Sequence, residues 1–146
     1  MIISAARPDD LDAVLVLEEQ GFPAAARWSR DSWQAELDNP SRLVLVRHDA
    51  RGQVVGVASF SLVDEAADLL RVIVAPDSRG RGIGGSLVRA GMEWAKAIGA
   101  RRMLLEVRPD NDPALRTYRK LGFTALDRRR DYYGTGVDAL VMAVAL

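Results

Sequence analysis

Between Leu69 and Ile98 the chain passes from an apolar β segment, Leu69-Leu70-Arg71-Val72-Ile73-Val74, through a loop containing Arg79-Gly80-Arg81-Gly82-Ile83-Gly84-Gly85, into an amphipathic helix. This succession leaves few folds open. The strand needs a sheet, the helix must pack back on that sheet, and the loop between them exposes bare backbone at the sheet's end. Such a loop suits an anion, above all a phosphate. Glycines let peptide N–H groups approach closely, the helix aims the positive end of its dipole at the same place, and Arg79 and Arg81 add charge. A plain turn and helix start is the competing account. Glycines interleaved with two arginines make it the weaker one.

Gly80, Gly82 and Gly85 also spell G-x-G-x-x-G, and Glu106 follows about one strand later, where a dinucleotide fold places its ribose-binding acid. That fold puts the glycine loop after its first strand and repeats strand–helix units behind it. Here much of the preceding chain is patterned as an antiparallel meander, which argues against a nicotinamide cofactor. No Gly-Lys-Ser/Thr follows the glycines, so a nucleoside-triphosphate P-loop is excluded.

Periodicity supplies the remaining elements. Ile2 to Ala6 reads as a short strand, and Pro8-Asp9-Asp10 opens a helix carrying Leu11, Val14, Leu15 and Leu17 that ends near Gly21. Phe22 to Trp28 is a loop, and Ser29 is placed to cap a helix reaching about Leu37. Arg42 to Arg47 and Val54 to Val63 form strands around the turn Asp49-Ala50-Arg51-Gly52, and Asp64-Glu65 reverses the chain into Ala67 to Val74. After the glycine loop, Ile83, Leu87, Val88, Met92, Ala95 and Ile98 mark one helix face that stops at Gly99. Arg102 to Val107 is a strand parallel to Ala67–Val74, reached by a crossover. Asp112 is expected to cap a short helix with Pro113 in its first turn and Leu115, Tyr118 and Leu121 on its apolar face. Phe123 to Arg128 and Asp138 to Ala145 close the sheet around a tyrosine-rich loop. No repeat, linker or low-complexity tract interrupts this, and residues 1–146 read as one domain.

Composition narrows the chemistry. The 20 basic and 20 acidic residues cancel, so no global field draws the chain to nucleic acid or to an anionic membrane. Cysteine is absent, which removes disulfides, thiolate nucleophiles and cysteine metal sites, and His48 is the single histidine. No metal is expected. Neither a signal-peptide pattern nor an apolar run of the roughly 18 residues that a membrane span requires is present, so a cytoplasmic protein without membrane association is expected.

The residues resemble a known family. Arg79-x-x-Gly82-x-Gly84 after Val72-Ile73-Val74 is similar to the acetyl-coenzyme A loop of the GCN5-related N-acetyltransferases (GNAT). Leu105-Glu106-Val107-Arg108, Asn111-Asp112-Pro113-Ala114, Tyr118-Arg119-Lys120-Leu121-Gly122-Phe123, Arg130-Asp131-Tyr132-Tyr133 and Asp138-Ala139-Leu140-Val141-Met142 resemble its RimI branch, the ribosomal-protein-alanine N-acetyltransferases. The likeness covers almost the whole chain. It implies an α/β fold in which a mixed, mostly antiparallel sheet is splayed at its centre and carries helices on both faces. It also implies acetyl-coenzyme A (acetyl-CoA) as donor. The pyrophosphate would lie on Arg79, Gly80, Arg81, Gly82, Ile83, Gly84 and Gly85, and the pantetheine arm along Val72, Ile73 and Val74, whose N–H groups would polarise the thioester. The same resemblance makes Glu106 the base that collects the acceptor's proton, Tyr118 the acid near the sulfur, and Asn111 a further coenzyme contact.

Each role has a plainer counterpart. An isolated Glu on a strand is commonly a surface charge, and Tyr118 lies on a core stripe, although its hydroxyl can still project from a packed ring. Asn111 could be a simple turn residue. Tyr132 and Tyr133 match the branch's acceptor-side loop, and exposed tyrosines in a flexible loop suit binding, with a structural hairpin as the alternative. For Phe22, Trp28 and Trp33 the core reading wins over an opposite acceptor wall. One departure from the branch concerns Ala24 to Arg27, which are inserted between Phe22-Pro23 and Trp28-Ser29 beside the acceptor site. The expected reaction is direct transfer of acetyl to the N-terminal α-amine of a protein, an alanine-starting ribosomal protein in the branch, by a monomer or weak dimer. Acetylation of a small-molecule amine or a protein lysine, and non-catalytic acetyl-CoA sensing, stand as alternatives.

Overall fold

Alternating apolar residues build the sheet from its middle outward. In the computed structural model, which describes residues 2–146, the strands are β1 (Ile3–Ala5), β2 (Arg42–His48), β3 (Val54–Val63), β4 (Ala66–Val74), β5 (Arg102–Val107), β6 (Thr124–Arg129) and β7 (Ala139–Ala145). They lie in one sheet of order β1-β2-β3-β4-β5-β7-β6. Every neighbouring pair is antiparallel except β4–β5, which is parallel. A doubly wound dinucleotide fold is thereby excluded, because its sheet is mostly parallel.

The helices are α1 (Leu11–Gly21), α2 (Arg30–Asp38), α3 (Ile83–Ala97) and α4 (Asp112–Lys120). Two cores result. Leu11, Val14 and Leu17 of α1 and Trp33 of α2 pack on Val44, Val46, Val57 and Ile73 of one sheet face. Ile83, Leu87 and Val88 of α3, with Leu115 and Tyr118 of α4, cover the opposite face over Phe60, Leu69, Met103 and Leu105. Burying such side chains contributes about 1.5–3 kcal/mol each. Among the described residues no helix is long and apolar enough to cross a membrane.

Helix ends follow local chemistry, with two corrections. Ser29 caps α2 by accepting the Ser32 N–H at 3.1 Å. The cap of α4 is Asn111 rather than Asp112: its Oδ1 accepts the Ala114 N–H at 3.3 Å, which places Asp112 at the first helical position and Pro113 behind it. Ile98 falls beyond the end of α3 and is exposed, leaving Gly91 with Ile83, Leu87, Val88 and Ala95 on the buried stripe. Within the Ala24 to Arg27 insertion, Ala24–Ala26 form a single 3₁₀ turn that Arg27 ends.

One irregularity shapes the centre of the sheet. Ser59 pairs with Arg71 and Phe60 with Leu69, so Leu70 is an extra residue, a β-bulge. The bulge exchanges the two faces of β4. Ala67 and Leu69 point to the α3 core before it, whereas beyond it Val72 and Val74 do so and Ile73 turns to α1.

Candidate active site

Pairing between β4 and β5 runs from Ala66↔Arg102 to Leu69↔Leu105 and goes no further, although β4 continues to Val74 and β5 to Val107. The bulge sits at the last paired residue. From there the two parallel strands diverge, and a wedge-shaped gap opens at the centre of the sheet with the glycine loop at its mouth. Residues at the carboxyl ends of parallel strands are where α/β sheets place ligands.

One wall of the gap is the backbone of β4. Ala75 N–H donates to the Val55 carbonyl at 2.8 Å, which fixes the alternation of the β3–β4 ladder. Ile73, two residues back and opposite Val57, turns its peptide groups toward β3, whereas Val72 and Val74 turn theirs toward the gap. Of the three residues expected to pair with an extended arm, Val72 and Val74 therefore supply peptide groups. Ile73 supplies a buried side chain on the α1 face.

The loop beyond β4 has the backbone that the glycines foretold. Gly80 and Gly82 adopt φ of +77° and +78°, and a Cβ at either would meet nothing within 4 Å, so these positions stay open above the loop. Gly82 is the N-cap of α3 and carries no side-chain cap, which leaves the first N–H groups of the helix pointing into that space. Ile83 buries its side chain. Gly84 lies against β4, where a Cβ would stand 3.6 Å from Val74 Cγ2, and Gly85 faces α4, 3.5 Å from Thr117 Cγ2. Arg79 Nε donates to the Val74 carbonyl at 3.0 Å, holding its guanidinium at the gap's mouth, and Arg81 is exposed beside it.

Glu106 is the first β5 residue past the last paired one. It lies opposite Val141 of β7, between Leu105 and Val107, which both face the α3 core; its carboxylate therefore stands on the α1 face. Partial burial raises its pKa above the ordinary carboxylate value, with Asp68 adding to the rise and Arg129, whose Nη1 lies 3.8 Å from Oε1, opposing it. Asp68 on β4 shares the environment, and its pKa is likewise raised by burial against the pull of Arg129, Arg102 and Arg42. Asp68 was not singled out from the sequence, where it reads as one polar residue in an alternating strand.

Tyr118 stands on the other face of the gap. It is 8% exposed and packs edge-on against Phe123 at 5.9 Å between ring centres. Burial, with a smaller effect of Tyr133, pushes its phenol up to about 12, so it keeps its proton at any working pH. Asn111 spends its side-chain oxygen on the α4 cap.

The β6–β7 connection carries Tyr132 and Tyr133, both about half exposed, with rings at right angles 4.9 Å apart. The loop is tied rather than loose. Gly136 N–H donates to Asp131 Oδ1 at 2.6 Å, Asp131 N–H to Asp138 Oδ1 at 3.1 Å, and Tyr133 N–H to the Val137 carbonyl at 3.1 Å. Burial pushes the Tyr133 phenol up to about 12. Tyr132, Glu106, Arg108 and Arg71 also act on it, and Arg129, 3.8 Å from Glu106, lies over the Tyr132 ring at 5.6 Å. The Phe22–Trp28 segment is held by a pair that the sequence did not reveal, Glu18 with Arg71. One signal could have found it: Glu18 lies four residues after Val14 on the buried stripe of α1, and Arg71 is the single charge in an apolar run.

A mixed sheet split at its one parallel pair, with a helix-capping glycine loop at the mouth of the split, is the architecture shared with solved N-acetyltransferases. The profile of the acetyltransferase (GNAT) family matches residues 9–123, and the chain belongs to that family, as an acetyl-CoA-dependent N-acetyltransferase. A Bacillus subtilis protein designated a candidate ribosomal protein bS18-alanine N-acetyltransferase is 34% identical, over 96% of this chain and 92% of its own length. The N-alpha-acetyltransferase RimI of Mycobacterium tuberculosis is 33% identical over 96% of this chain and 89% of its own length. The crystal structure of the ribosomal-protein-S18-alanine N-acetyltransferase from Escherichia coli superposes with a TM-score of 0.88 at 28% identity, covering 99% of this chain and 92% of the other.

Proposed function

We propose that this chain acetylates the α-amine of a protein N-terminus, with the N-terminal alanine of a ribosomal protein as its acceptor, and that donor and acceptor meet in the β4–β5 gap. The observation that carries this reading is the end of pairing at Leu69↔Leu105, which opens the sheet with Glu106 on one side and β4 backbone on the other. The relatives named for alanine and N-alpha acetylation supply the acceptor class.

In this mechanism the pyrophosphate rests on the N–H groups of residues 80–84 and the α3 N-terminus, with Arg79 and Arg81 adding positive charge. The pantetheine amides pair with Val72 and Val74, and a β4 N–H donates to the thioester oxygen as it becomes an oxyanion. An α-amine has a pKa of ~8 and arrives largely as ammonium, so a proton must leave before nitrogen attacks. Glu106 takes it, directly or through water, on the α1 face. The nitrogen lone pair then adds to the carbonyl carbon, the nitrogen gives its second proton to solvent water as the C–S bond breaks, and coenzyme A departs as thiolate toward Tyr118. A phenol near 12 is a weaker acid than a thiol of about 8.5, so Tyr118 stabilises the thiolate by donating a hydrogen bond, and solvent supplies the final proton. The acceptor chain lies between Tyr132–Tyr133 and the Phe22–Trp28 segment.

The test is release of free thiol from acetyl-CoA, with mass spectrometry of the products, on three acceptors: a peptide with a free N-terminal alanine, its N-blocked lysine-containing twin, and spermidine. Turnover confined to the free alanine terminus is the expected result. Turnover on lysine or spermidine alone overturns the acceptor assignment and leaves the family intact.

A further inference from the structure

The face of β4 opposite the donor's helix carries a second device. Arg71 is the first residue beyond the bulge, so its side chain emerges toward α1 at the point where β4 parts from β5. Its Nε donates to Glu18 Oε1 at 2.9 Å and its Nη2 to Oε2 at 2.8 Å, a bidentate pair, while Nη2 also reaches the Ala26 carbonyl at 2.7 Å. The Phe22 ring lies 3.4 Å from the guanidinium carbon, and Trp28 lies 4.9 Å away on the same cation. Glu18, 1% exposed, takes the Trp28 backbone N–H at 3.2 Å and the Trp33 indole N–H at 3.1 Å. Both ends and the middle of the Phe22–Trp28 segment thus converge on one ion pair.

A buried ion pair contributes little net stability over apolar side chains of the same volume, because both charges must be stripped of water. What it adds is direction. Only a guanidinium can grip a carboxylate with two bonds, bind a carbonyl and stack on a ring at once. Resting on the reading that the acceptor lies over Glu106, we propose that Arg71 is a positioning residue: together with Glu18 it locks the Phe22–Trp28 segment to the donor-binding strand, fixing the width of the acceptor groove opposite Tyr133 and so selecting the acceptor. Arg71 is one residue from Val72, so the strand that binds the donor and the wall that meets the acceptor move as one piece. Arg71 and Glu106 stand on the same face of the sheet, on the two sides of the split just past the last paired residues Leu69 and Leu105.

Arg71→Lys separates this role from ordinary structural support. Lysine keeps the charge opposite Glu18 but neither stacks on Phe22 nor grips the carboxylate and the Ala26 carbonyl together. The variant is expected to raise KM for the acceptor about tenfold while KM for acetyl-CoA and kcat change by about twofold or less, since uniform acceptor binding is what it removes. Trypsin is expected to cut after Arg27 several-fold faster, because the segment loosens. Phe22→Leu, which leaves the ion pair whole, is expected to raise acceptor KM about threefold, and it carries the test if the lysine variant does not fold. Unchanged acceptor KM alongside faster cutting overturns the proposal, since the segment then moves without touching the acceptor. Equal losses in both KM values and kcat, tracking a lowered melting temperature, also overturn it. Each KM is measured with whichever acceptor the wild-type enzyme turns over, so a wrong acceptor class refutes the function proposed above without deciding this one.

Discussion

Gly82→Ala isolates the donor cradle from the stability of the fold. Gly82 holds φ +78° and ψ 12° at the N-cap of α3, and a Cβ there meets no atom within 4 Å. The folded protein therefore feels only the left-handed backbone, a cost of about 1–2 kcal/mol for a residue with a Cβ. Unfolding entropy of a domain this size converts that into a fall in melting temperature of roughly 3–7 °C. Gly52 is a matched control: in the β2–β3 turn it has φ +81° and equally empty space, far from the gap. Gly52→Ala should lose the same stability and keep its kinetics. In Gly82→Ala the added methyl stands where the pyrophosphate approaches, which should raise KM for acetyl-CoA about tenfold or more, with kcat at saturating donor within about threefold. Calorimetry with initial-rate kinetics on both variants is the assay. Equal melting losses and an unchanged donor KM in Gly82→Ala would refute the cradle.

Glu106→Gln should lower kcat about 10²- to 10⁴-fold. With Glu106 as the base, the lower limb of the wild-type pH profile of kcat/KM is expected to lie above the ordinary value of a glutamate; Asp68→Asn should move it down and Arg129→Ala up, since Asp68 raises that pKa and Arg129 lowers it. The same shift means that the folded state holds the Glu106 proton more tightly than the unfolded chain. Stability from this group is thus present at low pH and lost as pH rises through the folded pKa, and Glu106→Gln should melt higher than wild type at pH 7. Tyr118→Phe should cost about 10- to 100-fold in kcat with both KM values little changed, because a hydrogen bond to the leaving thiolate is lost. Gly91→Ala tests how α3 is seated: a Cβ there would overlap the tip of the buried Phe60 ring, so a net loss of about 1–3 kcal/mol is expected by thermal melting, relieved when Phe60→Leu is added.

What was legible in the sequence is what local pattern determines. Val54–Val63 and Arg102–Val107 have the boundaries that their apolar runs and flanking turns predict, and α3 begins at Ile83, within the glycine run, with Gly84 and Gly85 in its first turn. The α4 cap was misplaced by one residue because Asn111 and Asp112 are both good caps standing side by side, and only the bond to Ala114 N–H decides between them. The backbone role of Ile73 turned on the bulge at Leu70 and the register with Val57, neither of which leaves a mark in the run Leu69-Leu70-Arg71-Val72-Ile73-Val74. Glu18 and Arg71 are 53 residues apart, and their pairing comes from the crossing of α1 over β4. The catalytic candidates rest on motif resemblance, whereas the contacts that hold the Phe22–Trp28 segment are tertiary.

In the mechanism proposed above, thioester and amine meet between β4 and β5. A crystal structure with a bisubstrate conjugate, coenzyme A joined through an acetyl bridge to the α-nitrogen of an alanine-starting peptide, tests it most directly. Pyrophosphate is expected on the N–H groups of residues 80–84, the bridging carbonyl within hydrogen-bond reach of a β4 N–H, the alanine nitrogen within one water of Glu106, and the peptide between Tyr133 and the Phe22–Trp28 segment. A conjugate seated outside the split, or one whose nitrogen lies on the α3 face away from Glu106, would contradict it.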